Sequence, residues 1–267
     1  MNRSDIPESA ITGMSWPALP AGPAARMFAL ARQLDESQWW DAGALEHHQM
    51  RQLEQLAGHA ARTVPFYKNR LNCLRGVLPG DLSLDRWREI PILNRADLQL
   101  ARADLYSAAL PKFHAPVVDA TSSGSTGRPV TTRVTAVTRM FSDALTLRYH
   151  DWAGRDFGGK TCAIEIIRSG GSAKPSGWAP GYISGPMVNF GIDNPVDRQF
   201  DWLVGHAPDY LLPHPANPAA LVRYGVDRGE RIPGLRQVAT VSEGLDSQTR
   251  EDCERHWASP SSRPIAQ

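Results

Sequence analysis

Eight consecutive residues, Ser122-Ser123-Gly124-Ser125-Thr126-Gly127-Arg128-Pro129, concentrate the chain's means of binding an anion. Gly124 and Gly127 permit backbone angles closed to other residues, so successive N–H groups can converge on one point. The hydroxyls of Ser122, Ser123, Ser125 and Thr126 add donors, and Arg128 adds a fixed positive charge. That set suits the oxygens of a polyphosphate. It is not a Walker A loop, because no Gly-Lys-Ser/Thr follows at the required spacing. Nor is it a nucleophile elbow, because the chain has no Gly-x-Ser-x-Gly. A flexible Gly/Ser hairpin or linker has the same composition, so composition alone leaves both readings open.

Two strands should hold this loop. Pro116 to Ala120 is short and apolar, and Pro129 to Val134 alternates, with Val130, Thr132 and Val134 on one side. A long helix follows from about Ala136 to Trp152, with Val137, Met140, Phe141, Ala144, Leu145 and Trp152 expected on its buried face. Cys162–Ile167, Tyr210–Leu212 and Leu235–Val241 read as strands. Ala219–Arg228 and Ser247–Trp257 read as helices, the second N-capped by Asp246. Strands alternating with helices predict an α/β fold with a mainly parallel sheet. Upstream, residues 24–113 are mostly helical. Met27, Leu30, Ala31 and Leu34 mark one helix; Leu45, Leu53, Leu56, Ala57 and Ala60 mark a second, which Pro65 ends. Residues 1–23 carry four prolines and little periodicity and read as a loose arm; residues 258–267 form a Ser/Pro-rich tail. The α/β region is thus 114–257.

Composition narrows the function classes. A formal net charge of +1 over 267 residues gives no global attraction to nucleic acid or to an acidic membrane. No apolar stretch is long enough to cross a bilayer, and the first residues lack the pattern of a signal peptide. Cys73, Cys162 and Cys253 have neither metal-ligand nor disulfide-framework spacing, so a cytosolic location is expected. Of the eight histidines, His47, His48, His150, His206 and His214 also show no metal-ligand spacing. Ser169 to Lys174 offers a second Gly/Ser run, read as a connection; the eight tryptophans, Trp39 and Trp40 included, read first as packing residues.

The order of residues in the loop closely resembles the signature of the adenylate-forming superfamily of acyl-CoA synthetases. In detail it is most similar to the phenylacetate–CoA ligase and capsule-biosynthesis ligase branch, where the residue after the proline is not lysine; here it is Val130. Further segments resemble the same branch in the same order. They are Arg62 to Tyr67, Ile90 to Leu98 with Arg95 in place of a lysine, Pro208 to Leu211, and Thr240 to Leu245 with Ser242 in place of a glycine. The similarity covers about Arg62 to Trp257.

The resemblance implies ATP with Mg2+ bound by Ser122 to Arg128, and Glu243 placed near the adenine and the substrate. It also implies a small carboxylic acid as substrate, an aryl acid in this branch, with CoA as an acceptor. Arg148 matches a recurrent family arginine, but a solvated helical role suits its place better; Glu243 reads equally well as a surface acid preceding a capped helix. The family's next elements are a Tyr-Gly-x-Thr-Glu segment, a ribose-gripping aspartate and a mobile domain with a catalytic lysine. They do not occur in these 267 residues. A truncated, frameshifted or excised N-terminal part would read this way. Each missing charge-stabilising group is worth roughly 2.7–4 kcal/mol by analogy with oxyanion-hole deletions, so the chain alone is expected to be inactive or very weak. A complementing C-terminal chain would then be a partner. The alternative from a different class is a non-catalytic interaction or scaffold remnant.

Overall fold

The computed structural model describes residues 5–77, 80–121, 129–167, 177–214, 216–240 and 244–257. The chain divides into two compact units, residues 26–144 and residues 1–25 with 145–267.

The first unit is helical up to a hairpin. Helices α1 (Gly22–Ser37) and α2 (Ala42–Thr63) are followed by the short α3 (Tyr67–Arg70), α4 (Leu84–Arg88) and α5 (Arg95–Ala101). Side chains start three of them, α2, α4 and α5. Asp41 Oδ1 accepts from the Ala44 N–H at 2.9 Å, and Ser83 Oγ accepts from the Arg86 N–H at 3.3 Å. Asn94 and Asp97 close a reciprocal capping box on α5. The buried stripe of α2 is narrower than its apolar pattern: Ala57 is buried and Leu53 half-buried, but Leu56 faces outward. Leu56 lies about 100° round the helix from Ala57, beyond the edge of the stripe.

Strands β1 (Val117–Thr121) and β2 (Thr131–Thr135) pair antiparallel, with Val117 opposite Thr135 and Thr121 opposite Thr131. Helix α6 (Ala136–Trp152) follows directly, its first turn satisfied by Thr135 Oγ1, which accepts from the Thr138 N–H at 3.1 Å. Its buried residues are Ala144, Leu147 and His150. Phe141, Leu145 and Trp152, expected inside from the apolar pattern, are exposed. Two stripes share this helix, and the one carrying small Ala144 and polar His150 is the one buried. Trp152 keeps its ring against the Arg148 guanidinium, 4.7 Å from the centroid. The tryptophans as a group divide: Trp257 is buried, whereas Trp16, Trp39 and Trp40 are exposed along with Trp152.

The second unit carries the parallel sheet: β3 (Thr161–Glu165), β4 (Met187–Gly191), α7 (Val196–His206), β5 (Tyr210–Leu212), α8 (Pro218–Arg228), β6 (Gln237–Val238) and α9 (Ser247–Trp257). Strand order is β4-β3-β5-β6, every pair parallel. Strand β4 and helix α7 add to the elements expected from sequence. One sheet face (Cys162, Ile164, Leu211, Val238) packs with Phe200 and Leu203 of α7, Leu221 and Val222 of α8, and Cys253 and Trp257 of α9. Helix α8 approaches α7 closely because Gly225 has no side chain; a Cβ there would meet Phe200 Cε2 at 2.8 Å. Pro218 opens α8, and Gly229, in the left-handed region at φ +66°, closes it. Asp246 caps α9, accepting from the Thr249 N–H at 2.9 Å. The N-terminal arm is tied to this unit: the Glu8 N–H donates to Gly181 O and the Ile183 N–H to Ile6 O, each at 2.9 Å.

The order of strands has a consequence for ligands. From β3 the chain moves to β4 on one side, then returns past β3 to β5 and on to β6. The sheet therefore reverses direction between β3 and β5. In open parallel sheets, ligands bind outside the carboxyl ends of the strands at such a reversal.

Candidate functional site

The anion loop is framed by the hairpin. Residues 122–130 connect Thr121 to Thr131, which face each other as the last pair of the ladder, with their hydroxyls 3.0 Å apart. The two ends of the nine-residue segment are thus held opposite one another. Below that closing pair, Asp119 and Arg133 face each other at 3.7 Å, and the Arg133 guanidinium lies 4.0 Å from the Tyr106 ring centroid. The hairpin is largely exposed, with only Val134 and Thr135 half-buried. Ser122, Ser123, Gly124, Ser125, Thr126, Gly127 and Arg128 themselves lie outside the described residues, as do Glu243 and the Ser169–Lys174 run. Glu243 belongs to the second unit, beyond β6. There the Ala239 N–H still bonds Leu211 O at 3.0 Å, so the chain leaves the sheet at its carboxyl edge.

The donors of the loop (amides, hydroxyls and one guanidinium) fit the anionic tail of a nucleoside triphosphate. The loop contains no carboxylate, so it would take magnesium only together with the nucleotide's own phosphates. Among the described residues, no cluster of three or more His, Cys, Asp and Glu side chains could hold a metal ion.

The ionisable groups in the sheet's interior are set against catalysis. Burial pushes the thiols of Cys162 and Cys253 up to about 12, which leaves both as inert thiols in the core. His150 is pushed down to about 3, first by burial and then by the adjacent Arg155 cation. Its Nδ1 stands 3.0 Å from Arg155 Nη1, and because the guanidinium only donates, the imidazole must accept. Arg155 Nε donates to Gln237 Oε1 at 2.5 Å, and Gln237 Nε2 to Ala153 O at 3.2 Å. Rings of Tyr149 and Tyr210 lie 5.1 and 5.5 Å from the guanidinium. This network sits at the amino ends of β5 and β6, away from the carboxyl edge, and reads as architecture.

A second buried network braces the carboxyl edge. Gln199 of α7 donates from Nε2 to Ile192 O at 3.0 Å and to Asn194 O at 2.6 Å, and its Oε1 accepts from Asn217 Nδ2. One amide thus ties the turn after β4 to the start of α8 after β5. At the same edge, Asn189 Nδ2 of β4 donates to Glu165 Oε1 at the end of β3, at 2.6 Å. Neither pairing is foreshadowed by sequence spacing; the parallel register creates both.

No family model matches the chain, and no curated protein matches it. Solved structures do. An open conformation of 2-hydroxyisobutyryl-CoA ligase in complex with 2-HIB-AMP and CoA is similar over 80% of this chain, with a TM-score of 0.57 and 18% identity. The same ligase in the postadenylation state with 2-HIB-AMP gives a TM-score of 0.58 and 19% identity over 80% of this chain. Over that stretch the chain shares the fold of these ligase structures. It spans about half the length of these structures, 51% of the first and 46% of the second. The α/β class with a parallel sheet, expected from the alternation of strands and helices, is the one observed. No described helix is long and apolar enough to cross a membrane.

Proposed function

We propose that this chain is the nucleotide-gripping part of an ATP-dependent carboxylic acid–CoA ligase, using Ser122 to Arg128 for the polyphosphate and Glu243 beside the nucleotide. The observation that carries this reading is the paired hairpin. Thr121 and Thr131 hold the two ends of a Ser/Gly/Thr/Arg segment opposite each other, in a chain with the fold of ligases solved with 2-HIB-AMP and CoA. Within the reading, the loop holds the β- and γ-phosphates while a carboxylate attacks the α-phosphate. An aryl acid is the substrate and CoA the acceptor. The whole reaction needs the elements that a C-terminal complement would bring.

Titration with magnesium-ATP tests this on the full chain. NMR signals of the loop should shift, and Gly124→Val and Thr126→Trp should each weaken binding by at least about tenfold, the equivalent of one lost charge-assisted contact. Carboxylate-dependent ATP–pyrophosphate exchange should appear when a C-terminal piece is added. A folded chain whose loop signals ignore millimolar magnesium-ATP would sink the reading and leave the interaction-module alternative. That alternative draws on exposed apolar side chains of the helical unit, such as Leu56, Leu100 and Ile92, the last 88% exposed.

A further inference from the structure

The N-terminal arm closes on itself before the first helix begins. It is anchored to the sheet-bearing unit by the pairing of Ile6 and Glu8 with Ile183 and Gly181. Beyond Glu8 the chain makes a loop whose ends meet. The Ala10 N–H donates to Leu19 O at 2.8 Å, and Ser9 Oγ accepts from the N–H groups of Ile11 and Leu19, each at 3.3 Å. Inside the loop the Met14 N–H donates to Ile11 O at 3.1 Å, and Pro17 restricts its own φ. The result is a compact surface loop with adjoining ends. Its large side chains all face outward. Ile11, Met14, Trp16 and Leu19 are between 39% and 79% exposed, Trp16 the most. None of residues 9–25 is Asp, Glu, Lys, Arg or His.

Single exposed apolar residues are ordinary on a protein surface. Four on one closed loop, with no charge among them, concentrate apolar area where water must be displaced by something else. The chemistry of the loop says what that is. An anionic surface finds no cation there, and Asp5 and Glu8 stand just outside it. A protein groove meets its ligand through a polar rim as well as an apolar centre, and the loop brings no charged side chain to such a rim. The boundary of an uncharged bilayer asks for apolar area and an amphipathic ring, which Trp16 supplies with its indole N–H toward water. We infer that the loop of residues 9–19 is a finger that seats the chain on the surface of a zwitterionic lipid bilayer, with Trp16 at the lipid–water boundary. The finger enters the headgroup region and does not cross the bilayer. This seat is independent of the nucleotide and of the ligase reading.

Flotation of the full chain with phosphatidylcholine vesicles tests this. The chain should rise with the vesicles, and the bound fraction should agree within about twofold at low and high salt, since no screened charge carries it. Trp16→Ser should weaken partitioning by about tenfold or more, and Ile11→Ser by about threefold. Trp16 is largely exposed, so its replacement leaves the fold intact. Trp152→Ser, which removes another exposed tryptophan from the same unit but outside the loop, should leave partitioning within about twofold of wild type. Failure to float, binding only to vesicles that contain anionic lipid, binding abolished by salt, or an equal loss from Trp152→Ser each overturns the inference. A chain that ignores vesicles but forms a dimer that Trp16→Ser dissolves overturns it too, and gives the loop to a second copy instead.

Discussion

Acidification should destabilise the sheet-bearing unit through one side chain, His150. The imidazole is buried, accepts a hydrogen bond from Arg155, and meets the rings of Phe157 and Trp178 edge-on. Its folded-state value of about 3 lies below the ordinary 6.5 of a histidine, so the folded protein holds the neutral ring and the unfolded chain takes up the proton first. With a depressed value, the stabilisation is fully present above pH 6.5 and is lost as the pH falls below it. At pH 5 the unfolded histidine is almost fully protonated and the folded one almost not at all. The 1.5 pH units between 6.5 and 5 then correspond to about 2 kcal/mol at 1.36 kcal/mol per unit. Other groups also titrate in this range, and the variant His150→Gln separates them. Glutamine can accept from Arg155 but does not titrate. Urea unfolding at pH 7.5 and pH 5.0 should show wild type losing about 2 kcal/mol more than His150→Gln over the same interval. An equal loss in both proteins would show that the ring exchanges its proton as freely folded as unfolded, and the argument from burial would fail.

Two further substitutions probe the scaffold. Gln199→Leu should destabilise the chain by about 1–3 kcal/mol in urea unfolding, because Ile192 O, Asn194 O and Asn217 lose their partner. A loss within error would mean that the amide is dispensable. Gly185→Ala should cost about 1–3 kcal/mol or more, since its Cβ would overlap the backbone carbonyls of Gly158 and Gly159, which have no flexible end to move aside. A thermal midpoint equal to wild type would refute that packing.

Much of the fold was legible in the residues, and the exceptions have physical causes. Helices α2, α6, α8 and α9 announced themselves through apolar spacing, the terminating Pro65 and the Asp246 cap. Helix α7 did not, because a polar residue, Gln199, occupies one of its most buried positions and Pro195 supplies no side-chain cap. Strand β4 is equally quiet: Asn189 interrupts its apolar run, and only pairing with β3 makes it a strand. On α6, apolar content pointed to Phe141 and Leu145, while burial followed Ala144, Leu147 and His150. A large side chain can lie in contact with a neighbour and still face water, as Trp152 does beside Arg148. For the candidate site, the donors of the loop are visible as residue types, and the strands on either side of it are where the alternation placed them. The Asn189–Glu165 contact could not be found that way, since 24 positions separate the two and only strand register joins them.

The hairpin's solvation on both sides has one more implication. A strand pair with a buried face resists slipping, because a shift of one residue would turn its apolar set outward; β1 and β2 have almost no such penalty. Their alignment rests instead on contacts along the ladder: the Thr121–Thr131 hydroxyls, the Asp119–Arg133 pair and the Tyr106 ring against Arg133. Loss of the Asp119–Arg133 pair or of the Thr121–Thr131 contact would therefore free the ladder to slide while the apolar core stayed intact.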